Sequence, residues 1–146
     1  MASKTFKPDT PQSTELKWFN YRQNNSGGSI VKDDDVSITV VVQAASLKEA
    51  NRIAVDRAGV YFDGVRKGYD CSCCGDRWHE SWDEDGMDSL SVMTWSSLTG
   101  KYRHTVYDTI EDWAEARAQA ETWVKPGESA VILYYADGTK TVYYKD

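Results

Sequence analysis

The sequence predicts an α+β fold: a mainly antiparallel sheet, two amphipathic helices packed on one of its faces, and a C-terminal β-hairpin. Three observations carry this reading. The run Val36-Ser37-Ile38-Thr39-Val40-Val41-Val42-Gln43-Ala44 alternates at first and then becomes continuously β-branched, the pattern of a central strand. Two segments opened by Ser46 and Thr109 repeat apolar residues at helical spacing. Near the C-terminus, two strand-like runs flank Asp137-Gly138.

Taken in order, residues 1–14 have no period and contain Pro8 and Pro11, so they read as a mobile tail before a single domain over residues 15–146. Leu16 to Arg22 is aromatic-rich with partial alternation and reads as a strand. Asn24-Asn25-Ser26-Gly27-Gly28-Ser29 reads as a turn, because Asn and Gly tolerate positive φ. Ile30 to Lys32 begins a returning strand that Asp33-Asp34-Asp35 interrupts. After the central strand, Ser46-Leu47-Lys48-Glu49 is a capping box, with the Ser oxygen taking an amide and the Glu reaching back. The helix runs to about Ala58 with Leu47, Ala50, Ile53, Ala54 and Ala58 on one face, and Gly59 stops it.

Val60 to Val65 is a short apolar piece before the cysteine-rich stretch, and Trp82 to Asp88 is an acidic loop. Leu90–Trp95 and Tyr102–Tyr107 read as strands joined across Thr99-Gly100. A second helix opens at Thr109, places Trp113, Ala116, Ala120 and Trp123 on one face, and ends at Pro126-Gly127. Ala130–Tyr135 and Thr141–Tyr144 are the arms of the final hairpin, with Asp137-Gly138 as a two-residue type I′ turn. Both halves run strand, strand, Ser/Thr cap, helix.

At 146 residues the chain is long enough to bury a core without disulfides. Six Trp and nine Tyr supply area that the 40% apolar content lacks. The formal charge of −6, from 23 acids against 17 bases, argues against a nucleic-acid binder, which shows a basic face. No apolar run reaches the length of a membrane span, and no basic-then-apolar start marks a secretory signal. An odd count of three cysteines within four positions is no disulfide framework and fits a reducing cytoplasm.

Three stretches could carry chemistry. Cys71, Cys73, Cys74 and His79 supply four zinc-type ligands, and the C-x-x-C-G spacing suits a knuckle that holds two thiolates on one ion. His104 is a substitute ligand. One structural zinc is the cofactor this reading expects. Against it, no second C-x-x-C supplies a distant pair, and adjacent Cys73 and Cys74 on one ion are cramped. Reduced cysteines packed as small apolar groups are the alternative. Asn24, Asn25, Ser26, Gly27 and Gly28 could form an anion nest or simply a turn, and P-loop spacing is absent. Arg77 and Trp78 pair a guanidinium with an indole, suited to a phosphate and a stacked base, unless Trp78 is core with Arg77 over it. Asp83, Asp85 and Asp88 fit no EF-hand register.

Tyr21 to Gly28 with its N-N-S-G-G, the Val-rich strand, the Ala/Glu helix, Tyr61-Phe62-Asp63-Gly64-Val65, and the D-C-x-C-C-G-D-R-W of Asp70 to Trp78 resemble a family of small uncharacterised tailed-bacteriophage proteins. The likeness spans roughly Phe19 to Trp82. It implies an accessory protein of the host bacterial cytoplasm that engages and modulates a host factor, in host takeover or anti-defence, and it transfers no catalytic residue. The absence of a complete catalytic set and the aromatic excess favour a non-catalytic protein with a host protein as partner. A homo-oligomer remains open. One alternative is a sponge in which Asn24 to Gly28 and Arg77-Trp78 enclose a nucleotide without cleaving it, a defence messenger among the candidates. A second is a metal-dependent hydrolase or nuclease using His79, Asp83 or Asp85.

Overall fold

The computed structural model describes residues 15–24, 30–61, 77, 78, 81 and 85–146. The expected tail of residues 1–14 lies outside them. Among the described residues, six strands and two helices form an α+β architecture in two sheets. β1 (Lys17–Arg22) and β2 (Thr39–Ala44) pair antiparallel, with Phe19 opposite Val42 and Tyr21 opposite Val40. β2 lies parallel to β5 (Ser129–Tyr134), and β5 pairs antiparallel with β6 (Lys140–Tyr144). The four-stranded order is β1-β2-β5-β6. β3 (Ser91–Ser96) and β4 (Lys101–Val106) form a separate antiparallel hairpin.

α1 (Leu47–Ile53) continues as a π-helical turn over Ala54–Ala58, and Gly59 closes it in the left-handed region at φ 81°. Ser46 Oγ accepts from the Glu49 amide, as the capping motif predicts. The Glu49 carboxylate does not reach back to the cap. It grips Arg52 instead, one turn on, so only half of the capping box forms. α2 (Ile110–Ala120) is capped by Thr109 Oγ1 accepting from the Asp112 amide.

The two helices cover opposite faces of the sheet, which corrects the expectation that both lie on one. Phe19, Tyr21, Val40, Val42, Ile132 and Tyr134 pack with Ala50, Ile53, Ala54 and Ala58 of the first helix. Ile38, Val41, Val131 and Leu133 pack with Ile110, Trp113, Ala114 and Ala118 of the second. The reason lies in the central pair. All six residues of β5 and all but Gln43 in β2 are buried, so both faces are apolar and each needs its own cover. Every such buried Val, Ile or Leu contributes about 1.5–3 kcal/mol. The expected returning strand at Ile30 to Lys32 is irregular chain.

The second helix ends at Ala120, before the Pro126 stop, because Glu121 turns to extended backbone (φ −70°, ψ 128°). Trp123 therefore leaves the helical face on which the spacing placed it, and it is 56% exposed. The final hairpin also differs from the two-residue turn predicted. The Tyr135 amide donates to Thr139, the Gly138 amide donates back to Tyr135, and Gly138 takes φ 98°, so three residues make the connection. No helix among the described residues is long and apolar enough to cross a membrane.

Candidate functional site

Beyond the end of β1, the chain passes through Gln23, a buried amide whose hydrogen-bonding capacity is fully used. Its Nε2 donates to the carbonyls of Val31 (2.9 Å) and Ser37 (3.2 Å). Its Oε1 accepts from the Val31 amide (2.6 Å) and from Arg77 Nη1 (2.9 Å). Two donors and two acceptor positions are all a carboxamide has. Gln23 thus ties together three segments distant in sequence. No motif in the sequence marks it.

The same tie brings two of the expected ligand residues side by side. The Asn24 amide donates to the Arg77 carbonyl at 3.0 Å. Trp78 is different: at 2% exposed it belongs to the core against the first helix, so its indole is not presented at the surface. The packed alternative holds for Trp78. Asn25, Ser26, Gly27 and Gly28 lie outside the described residues, as do Cys71, Cys73, Cys74, His79 and Asp83. His104 stands on β4 opposite Met93, and Asp85 and Asp88 are exposed. Among the described residues, no group of three or more His, Cys, Asp or Glu side chains could hold a metal ion.

Arg22, Gln23, Asn24, Ile30, Ile38 and Trp123 line a cleft of about 310 Å³. Its wall is set by an ion pair. Arg22 Nη1 and Nη2 donate to Glu121 Oε1 and Oε2 at 2.8 and 3.3 Å, and Nη1 also donates to Thr39 Oγ1 at 3.3 Å. The Glu121 side chain is 2% exposed. It also takes Arg117 Nη2 at 3.0 Å and the Trp123 amide at 2.9 Å, while Lys145 Nζ donates to its backbone carbonyl. Burial pushes the Glu121 carboxyl up. The hydrogen bonds from Arg22 and Trp123, with the charges of Arg22 and Arg117, outweigh it and hold the group below its ordinary pKa. Burial lowers the pKa of Arg117, and the like charge of Arg22 acts in the same direction. Several cations therefore gather round one buried carboxylate, in a chain that is acidic as a whole.

A second surface lies on the β3–β4 hairpin. The register places Ser91, Met93 and Trp95 opposite Val106, His104 and Tyr102, so these six share one face. Trp95 and Tyr102 meet edge-to-face at 5.0 Å, yet Trp95 is 58% exposed, and Met93, Tyr102 and Val106 are also exposed. Leu98 at the turn is 96% exposed. From Ser89 to Tyr107 there is no acidic residue, and Lys101 and Arg103 fall on the opposite face of the hairpin. Only Val92 is buried, in the core beneath the second helix, where Trp113 Nε1 donates to the Ser91 carbonyl at 3.0 Å. Sequence reasoning identified both strands and missed that their aromatic side chains face outward. The signal available was the segment's lack of acids.

No curated protein and no solved structure matches the chain. One family model does, over residues 16–146, which is nearly the whole sequence. The chain belongs to that family, DUF7296, described as a domain of unknown function.

Proposed function

We propose that the chain is a non-catalytic binding domain that engages and modulates a host bacterial factor, as a tailed-phage accessory protein acting in the bacterial cytoplasm. The observation that carries this reading is the exposed sheet face of Met93, Trp95, Tyr102 and Val106 with Leu98 at its tip. Interface centres are depleted in charge and enriched in Trp, Tyr and Met, which is the make-up of this face. The exposed parts of these five side chains present on the order of 600 Å², near the roughly 800 Å² each partner gives to a standard interface. A two-stranded hairpin is marginal in water by itself, so a partner on this face also steadies the element that binds it.

The test is capture of a host protein by the wild-type chain, its identification, and measurement of the purified pair. Trp95→Ala with Tyr102→Ala is the comparison variant, because Trp78→Ala would damage the core. The expected result is one dominant partner whose affinity falls at least about tenfold in the double variant. Equal affinity in that variant, or no partner, overturns the reading.

A further inference from the structure

The Arg22 cleft carries a separate inference, independent of the hairpin. An arginine has five N–H donors in a planar fork. Glu121 takes the end of the guanidinium, through Nη1 and Nη2, and Thr39 takes the second hydrogen of Nη1. What remains, among the described residues, is Nε–H and one Nη2–H. These two lie on one edge of the plane and point the same way, the geometry that grips two oxygens of a single phosphate or carboxylate. The clasp of Glu121 fixes the plane in advance, so little side-chain freedom is lost when an anion arrives. Glu121 is thus a positioning residue for that edge.

The same cleft is lined by Trp123, the exposed indole that the early end of the second helix releases. Ile30 and Ile38 supply the apolar remainder of the lining. An anion fork, an aromatic plate and an apolar wall within about 310 Å³ fit one small molecule with an anionic end and a flat ring. The volume is at the low end for ligand pockets, which start at roughly 300 Å³, and suits one nucleotide unit rather than two. We propose that the cleft binds a single nucleoside phosphate, with the open edge of Arg22 on two phosphate oxygens and the base stacked on Trp123. The Gln23 side chain has no hydrogen-bonding capacity left to read the base, and stacking on an indole tolerates different bases.

The experiment is isothermal titration of the full chain with AMP, CMP, adenosine and inorganic phosphate. Both nucleotides are expected to bind saturably, with adenosine and phosphate each at least about tenfold weaker than AMP. Trp123→Ala is expected to weaken AMP at least about tenfold, and Trp123→Phe to restore it. Arg22→Lys keeps a charge beside Glu121 and loses the fork, and is expected to weaken AMP similarly. A melting curve for each variant checks that the fold is retained. No binding of either nucleotide overturns the proposal. So does AMP affinity that is unchanged in folded Trp123→Ala, or phosphate binding as tight as AMP.

Discussion

Arg22 and Glu121 stand 99 residues apart in the chain and meet through two parallel contacts, at 2.8 and 3.3 Å. The pair joins the end of β1 to the residue that terminates the second helix. It therefore couples the outer strand of the sheet to the layer on one of its faces. Removing the arginine leaves a buried carboxylate with Arg117 as its remaining ion-pair partner. Arg22→Ala is expected to cost about 2–4 kcal/mol in urea denaturation, below the full figure for an isolated buried pair because Arg22 is partly exposed. Arg22→Lys should cost less than half of that. Equal costs for the two variants would show that a positive charge without the fork contributes nothing here.

The depressed pKa of Glu121 has a pH signature. A carboxyl held below its ordinary value of 4.5 stabilises the fold at all pH values above that point. The contribution is lost as the pH falls through the lower, folded value. The stability difference between wild type and Glu121→Gln should be constant from neutral pH to about pH 5 and should shrink in the acid range below 4.5. A difference that does not vary with pH down to acid unfolding would mean that the carboxylate charge is not what holds this corner.

Gly86 packs against the first strand. A Cβ there would sit 2.8 Å from Lys17 Cβ and 3.2 Å from the Trp18 carbonyl oxygen, at φ 91°. That carbonyl also accepts the Met87 amide at 2.8 Å, so the backbone has little room to shift. At Gly138, φ is equally positive but nothing lies within 4 Å of the added atom. Gly138→Ala should cost about 1–2 kcal/mol, from the left-handed backbone alone. Gly86→Ala should cost about 1–2 kcal/mol more, from the clash. Chemical denaturation of both variants decides it, and a Gly86 variant no less stable than the Gly138 variant would refute the close approach.

Trp95 separates binding from stability. Its contacts are mostly with solvent and Tyr102, and an edge-to-face pair is worth about 0.5–1.5 kcal/mol. Trp95→Ala should therefore lower stability by no more than about 1.5 kcal/mol. Ile132→Ala, in the fully buried central strand, should lose about 2–5 kcal/mol. If thermal melts show the two losses to be equal, the hairpin face is covered in solution by part of the chain itself.

The segments that the sequence located are those whose signal is local. Ser46 and Thr109 mark the two helix starts because a cap needs only the next turn of chain. The central strand is legible because Val40, Val41 and Val42 crowd a helix and suit a sheet buried on both sides. The nearness of Asn24 and Arg77 is consistent with grouping those two segments, though no periodicity implied it. The exchange between the two indoles was not legible. Trp78 sits beside an arginine in sequence and is buried, whereas Trp123 shares its helix spacing with core residues and is exposed. Which side of a tryptophan meets water depends on the layer above it, and no neighbour in sequence reports that layer.

By itself the sequence determined the class of fold, the places of the strands that form, and the two capped helix starts, since each follows from sterics and hydrogen bonds within a few residues. Tertiary structure alone decided that the helices cover opposite faces of the sheet, that Arg22 reaches Glu121, and that the β3–β4 hairpin keeps its aromatic face outward. Periodicity tells which side of an element is apolar. What comes to cover that side depends on contacts between residues far apart in the chain, as in the tie between Arg22 and Glu121.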